Sequence, residues 1–223
     1  MTGRGVIVEF DFTALNGAEI LFDTAKRFLA ELDGIVLDVP SEARYLVGND
    51  YQDGLQGLFD FVKTKKTAAK AARDLADIFN SKVTASVSTA VTQGFCNFVR
   101  TLADRGLKVV LATHADICSD VVHEAFDDLL GTNVVLHQEA STCYGSVKWE
   151  SWRLACTRNG LRCASSLVVT GSGCGVKSAL FVGMGALAVV NDHVSYHDFG
   201  GADAVVGSLD TAAAKKVLEI MHL

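Results

Sequence analysis

Short apolar runs alternate with longer amphipathic ones along most of the chain. The runs Val6–Val8, Lys108–Leu111, Asn133–Leu136, Leu167–Val169, Leu187–Val190 and Ala204–Val206 are valine-rich and lack an alternating polar face. Such runs predict strands of a parallel sheet covered on both sides. Helical sequence lies between them. Asp116 to Leu130 runs up to Gly131, and Trp149 to Asn159 runs up to Gly160, each glycine standing where a left-handed C-terminal cap belongs. Strand–helix alternation of this kind predicts an open α/β sheet.

The interval from Asn16 to about Ala90 breaks the rhythm. Asn16 and Glu19 have capping-box spacing. Helical sequence follows through Leu32, again around Gln52–Val62 and over Thr67–Asn80, with no strand between. This predicts a helical insertion after the first strand. Lys63, Lys66, Lys70 and Arg73 recur at 3-4-3 spacing, which predicts a basic stripe on one helix face. Such a stripe is a solvated face or a cationic lid over an anionic ligand. Gly48-Asn49-Asp50 and Gly54 read as turn positions. With one proline and no low-complexity stretch, a long flexible linker is not expected.

Composition narrows the setting. The 223 residues are 49% hydrophobic and 21% charged, which is globular and enough for a sizeable core. A net charge of −6 argues against general attraction to nucleic acid or an anionic membrane. Met1–Gly5 is too short for a secretory signal before the first strand. The longest uncharged apolar stretch, Ser178–Val190, falls short of the ~18 residues a membrane helix needs. Cysteines 96, 118, 143, 156, 163 and 174 form no Cys-x-x-Cys pair, so free thiols in a reducing cytoplasm are expected.

The residues with candidate chemistry cluster at strand ends. The first strand runs into Val8-Glu9-Phe10-Asp11-Phe12-Thr13, and another closes on Thr113. Lys148 opens a helix after the polar loop Gln138–Ser146, and a third strand enters Thr170-Gly171-Ser172-Gly173-Cys174-Gly175. In this order the segments resemble the haloacid dehalogenase (HAD) superfamily over nearly the whole chain. Val182–Val190 and Gly201–Leu209 add to the match. The resemblance implies an α/β, Rossmann-like core of residues 1–15 and 90–223, its parallel sheet flanked by helices. It also implies a small all-helical cap at 16–89, similar to phosphoglycolate phosphatase and β-phosphoglucomutase relatives.

In that family a carboxylate attacks phosphorus and a second one, two residues on, shuttles the proton. A hydroxyl, a lysine and Mg²⁺ neutralise the phosphoryl oxygens. Without gaps, Glu9 aligns with the nucleophile, Asp11 with the acid/base and Thr13 with the motif's threonine. A rival register makes Asp11 the nucleophile. Thr113, Lys148 and Ser172 then stand as phosphate-binding residues, and Glu9 with Asp11 as a weak Mg²⁺ site.

The departures concern the acids. Glu9 is one methylene longer than Asp, and a displacement of about 1 Å costs on the order of a hundredfold in a positioned reaction. Gly171 stands where the family carries a metal-binding Asp, and Gly175 where a second is common. An aspartate restored at Gly171 is expected to tighten Mg²⁺. The glycine loop could still hold an anion through backbone N–H groups at a helix N-terminus.

The sequence therefore predicts a degenerate HAD-like protein that binds a small phosphorylated molecule or a protein partner with little or no turnover. An active Mg²⁺-dependent phosphomonoester hydrolase using Glu9 or Asp11 is the alternative. A nucleotide-binding module is a further one, built on Gly171-x-Gly173-x-Gly175 with Asp192 as a ribose-binding acid. His114, His123, His137, His193 and His197 read as ordinary loop histidines, since none has a partner at metal-ligand spacing.

Overall fold

The computed structural model describes residues 3–90, 93–131, 133–138 and 149–223. Its strands are β1 (Gly5–Glu9), β2 (Lys108–Thr113), β3 (Val134–Gln138), β4 (Leu167–Thr170), β5 (Gly185–Val189) and β6 (Ala204–Val206). All pair in parallel, in the order β3-β2-β1-β4-β5-β6. Each of the six apolar runs is therefore a strand. The order reverses at β1, and sheets of this kind bind ligands beyond the carboxyl ends of the strands at such a switch point. Glu9 pairs with Ala112, and Val8 with Val169. The end of β1 thus emerges between Thr113 and Thr170.

The helices are α1 (Phe10–Thr13), α2 (Gly17–Asp33), α3 (Val39–Tyr45), α4 (Tyr51–Val62), α5 (Ala68–Ala90), α6 (Gln93–Ala103), α7 (Ser119–Ala125), α8 (Trp149–Arg158), α9 (Gly173–Phe181) and α10 (Thr211–Ile220). Alternate strand residues enter two cores, which is why the runs show no polar face. Val6, Val8, Val109 and Leu111 join Phe98 and Leu102 of α6 and Val217 of α10. Ile7, Val110, Val168 and Ala186 join Trp152 of α8 and Val176 of α9. Trp152 is fully buried, and its Nε1 donates to the Gly175 carbonyl at 3.2 Å. One indole thereby ties α8 to the start of α9.

Helices α2 to α5 form a block between β1 and α6, as the broken rhythm predicted. The block covers the carboxyl end of the sheet. Phe12 stacks on Phe79 of α5 at 6.0 Å, and Tyr51 of α4 meets Phe79 edge-on at 6.2 Å. Among the described residues no helix is long and apolar enough to cross a membrane.

Several local expectations give way. Asn16 forms no capping box: it adopts a left-handed φ of 52° and its side chain makes no capping bond. A capping residue needs extended backbone, whereas the chain here turns sharply, with Gly17 so close to the Asp11 carbonyl that a Cβ would sit 2.4 Å from it. The stretch 116–130 yields only the short α7, because residues 114–118 form a turn over the end of β2 in which Ile117 N–H donates to the Ala115 carbonyl at 2.9 Å. Gly131 is not left-handed, while Gly160, at φ 67°, is. The basic stripe is split: Lys63 ends α4 at φ 59°, Lys66 lies in the link, and Lys70 and Arg73 lie on α5. Helix α3 has its own signal, an Asp38 side chain that caps Ser41 N–H at 2.8 Å with Pro40 in the first turn.

Candidate functional site

Two carboxylates leave the end of β1 in opposite directions. Glu9 turns toward β4, where its Oε2 accepts from Thr170 Oγ1 at 2.6 Å and Gly171 N–H at 2.9 Å. Asp11, in the first turn of α1, turns toward β2. Its Oδ2 accepts from the backbone N–H groups of His114 and Ala115, both at 2.9 Å, with Thr113 Oγ1 at 3.4 Å. The Thr113 hydroxyl also donates to the Ala115 carbonyl at 3.1 Å. Both acids are buried. Burial pushes the Glu9 carboxyl up, and Asp11 adds to this; His114, Thr170 and Gly171 oppose it.

The space beside Asp11 is small. A cavity of about 10 Å³ is lined by Asp11, Phe12, Tyr51, Phe79, Asn80, His114 and Ala115. That is room for at most one water molecule. Asp11 Oδ1, Tyr51 Oη and both ring nitrogens of His114 are buried without hydrogen-bond partners among the described residues. Burial raises the Tyr51 hydroxyl well above its ordinary range, so it stays protonated and can donate.

The glycine loop is not an open anion nest. Gly171 N–H serves Glu9, Ser172 N–H faces Thr170 Oγ1 at 3.3 Å, and Gly173 N–H donates to His197 Nδ1 at 3.2 Å. Ser172 Oγ caps α9 by accepting from Gly175 N–H at 3.0 Å. Ser172 is thus the N-cap of α9. The glycines serve close packing: a Cβ would lie 2.4 Å from the Asp198 carbonyl at Gly173 and 2.0 Å from Thr170 Oγ1 at Gly175. Committed N–H groups of this kind leave no cradle for a pyrophosphate, and Asp192 is exposed.

The described residues offer a Mg²⁺ ion at most two carboxylates, Glu9 and Asp11. The ion requires near-octahedral oxygen ligands, yet Glu9 and Asp11 each commit an oxygen to a different strand end. A Cβ at Gly171 would lie 2.7 Å from the Phe12 carbonyl oxygen, so no third acid has room there. Among the described residues no three His, Cys, Asp or Glu side chains gather as a metal site. Lys148 lies outside the described residues.

No protein-family profile and no curated protein sequence matches the chain. Solved structures match its shape. β-Phosphoglucomutase from Clostridium difficile superposes with a TM-score of 0.71 at 13% identity, over 99% of this chain and 98% of that one. CbbY from Rhodobacter sphaeroides, solved in complex with phosphate, gives 0.69 at 14% identity, over 94% and 95%. A HAD hydrolase of family IA, variant 3, from Entamoeba histolytica gives 0.71 at 12% identity, over 97% and 99%. The fold is that of the capped HAD hydrolases.

On this HAD fold, two histidines absent from the motifs join the helical block to the sheet. Gly173 N–H donates to His197 Nδ1, so the ring proton sits on Nε2, which faces the Ala43 carbonyl of α3 at 2.6 Å. His193 Nδ1 lies 3.2 Å from Oε2 of Glu42, a side chain with no exposed surface. Neither residue is an ordinary loop histidine. Glu42 lies 151 residues from His193 in the chain, so no local spacing reveals the pair. Gly48 completes the junction, since a Cβ there would meet Ser172 Cβ at 3.0 Å.

This junction makes stability depend on pH in two directions. The Glu42 carboxyl is pushed from 4.5 up to about 9, by burial first and Asp23 second, so it is protonated at neutral pH and donates to His193. Between those values the folded state binds the extra proton, and the stabilisation falls as pH rises toward 9. His197 behaves oppositely. Burial lowers its pKa below 6.5, Lys177 adds to this, and the Ala43 carbonyl partly opposes it. Its contribution is present above 6.5 and lost as pH falls through the lower folded value. Glu42→Gln keeps a donor to His193 but cannot ionise. Urea midpoints at pH 5, 7 and 9 should therefore fall less with rising pH in this variant than in the wild type.

Proposed function

We propose that this HAD-fold chain holds an oxyanion, most fittingly the phosphate of a small molecule, on the turn Thr113–Ala115, with little or no phosphoryl transfer. One observation carries the reading: a carboxylate oxygen, that of Asp11, rests on two converging backbone N–H groups at 2.9 Å. Such a pair is an oxyanion cradle, and Asp11 is its occupant when the block is closed. A phosphate oxygen offers the same acceptor geometry and must displace Asp11. Glu9 is poorly placed for attack, with Oε2 held on Thr170 and Gly171, and no third acid stands at Gly171 to carry a metal.

In this reading residues 16–89 are a cap over a core of 1–15 and 90–223, and its opening admits the ligand. A protein partner that holds the cap open is compatible with the same cradle. The free thiols Cys96, Cys118, Cys156 and Cys163 suit a reducing compartment such as the cytoplasm.

A working phosphomonoester hydrolase is the competing reading, and one observation favours it. Asp11 Oδ1 has no partner among the described residues and borders the cavity, as a nucleophile would. A phosphomonoester panel with Mg²⁺ separates the two. The expected outcome is turnover far below the ordinary ~1–10³ s⁻¹. Metal-dependent turnover in that range, abolished by Asp11→Asn but not by Glu9→Gln, would establish the hydrolase with Asp11 as nucleophile.

A further inference from the structure

Three sulfur-bearing side chains share one apolar cluster at the opposite end of the sheet from the candidate site. Cys156 lies in α8, Cys163 opens a 3-10 turn that leads into β4, and Met184 directly precedes β5. Cys156 Sγ lies 3.8 Å from Met184 Sδ, and Cys163 packs against the apolar cluster that holds both. Cys156 and Met184 are buried, while Cys163 is half-buried and gives access from solvent. The surroundings are apolar, including Ala155, Leu161, Ala179 and Ala186. Neither thiol is in a disulfide, and neither serves the cradle at β2.

We propose that Cys156, Cys163 and Met184 form a binding site for a soft monovalent cation, copper(I). Thiolate and thioether sulfur select this ion over the hard cations that prefer oxygen. Three sulfurs about 2.3 Å from a trigonal ion stand roughly 4 Å apart, and the Cys156–Met184 separation of 3.8 Å meets that spacing without rearrangement. Zinc would need a fourth ligand, and no third His, Cys, Asp or Glu joins the thiols among the described residues.

Binding breaks two S–H bonds and forms two copper–thiolate bonds and one copper–thioether bond. Two protons pass to solvent, and copper stays in the +1 state throughout. The complex carries one net negative charge, and Arg162, exposed beside Cys163, can offset it. Each thiol gives up its proton to bind the ion, so affinity should rise with pH.

The test is anaerobic titration of the full chain with copper(I) against a competing bicinchoninate chelator, in a reducing buffer. A variant with serine at positions 96, 118, 143 and 174 isolates the site. It should retain one copper, with a three-sulfur shell by X-ray absorption. Adding Cys163→Ser should weaken retention by roughly a hundredfold or more, beyond the 10–100-fold effects of outer-shell partners. Adding Met184→Leu, a volume-conserving change, should leave a two-sulfur shell. Failure of the four-serine variant to retain copper would overturn the proposal. So would Cys163→Ser retaining it as tightly, or a sulfur count unchanged by Met184→Leu.

Discussion

Replacing Gly171 with aspartate is expected to destabilise the protein without creating a Mg²⁺ site. The resemblance to the HAD superfamily points the other way, since that superfamily carries an acid at the position Gly171 takes. The obstacle is backbone, not a flexible side chain: the new Cβ would lie 2.7 Å from the Phe12 carbonyl oxygen and 3.3 Å from Phe12 Cβ. Phe12 cannot withdraw easily, because its ring is stacked on Phe79 beneath the helical block. Overpacking of this kind costs about 1–3 kcal/mol. A further carboxylate beside buried Glu9 and Asp11 adds the desolvation of a charge, so a total of at least ~3 kcal/mol is expected. Urea unfolding should show the loss, and calorimetric Mg²⁺ titration of the folded fraction should show no tighter binding than in wild type. A stable variant with tighter Mg²⁺ would mean that the end of β1 rearranges to restore the family's metal site.

Trp152→Ala should be nearly as damaging from the opposite side of the sheet. The indole is wholly buried among Ile7, Val110, Val168 and Val176, and its Nε1–H satisfies the Gly175 carbonyl. Truncating a buried tryptophan costs about 3–5 kcal/mol. At roughly 2–4 °C per kcal/mol for a chain of this size, Tm should drop by roughly 6–20 °C. Trp152→Phe should recover most of the packing but not the hydrogen bond to Gly175, a deficit of about 1–3 kcal/mol for the carbonyl left unsatisfied. Scanning calorimetry on the two variants separates packing from the hydrogen bond. Equal Tm values in wild type and Trp152→Phe would show that the bond to Gly175 contributes nothing.

Much of this architecture is readable in the sequence because burial on both sides leaves a simple mark. The valine-rich runs at Val6–Val8 and Leu167–Val169 became β1 and β4 for that reason. The helical insertion was equally plain, with α4 and α2 falling close to their expected bounds. Local capping was less predictable. Asn16 has a capping residue's chemistry, but the turn out of α1 forces it into left-handed backbone, which no spacing rule detects. The candidate residues Glu9, Asp11 and Thr113 lie at one end of the sheet, yet the two carboxylates turn to different strand ends. Glu9 belongs to Thr170 and Asp11 to the turn after Thr113, because each carboxylate takes the donors of the nearest strand end. Tyr51, His114, Glu42, His193 and His197 carried no sequence signal. Their partners lie on distant elements, and a buried histidine looks like an exposed one until the fold is known.

Phosphate binding to Asp11→Ala bears most directly on the cradle. In the wild type the Asp11 oxygen competes with any added anion for the N–H groups of His114 and Ala115, and its charge repels that anion. Removing it frees two donors whose charge-assisted bonds are typically worth ~1.5–3 kcal/mol each. Thr113 Oγ1 remains beside them, and Glu9, raised toward its neutral form, opposes an anion less than an ordinary carboxylate would. Calorimetric titration with inorganic phosphate at neutral pH, on variants shown to be folded, should therefore give at least about tenfold tighter binding in Asp11→Ala than in wild type. The gain should shrink but not vanish when Thr113→Val is added, because the two N–H groups remain and only the hydroxyl is lost. Phosphate affinity equal to or weaker than wild type in folded Asp11→Ala would contradict the assignment of the Thr113–Ala115 turn as an oxyanion site held by Asp11.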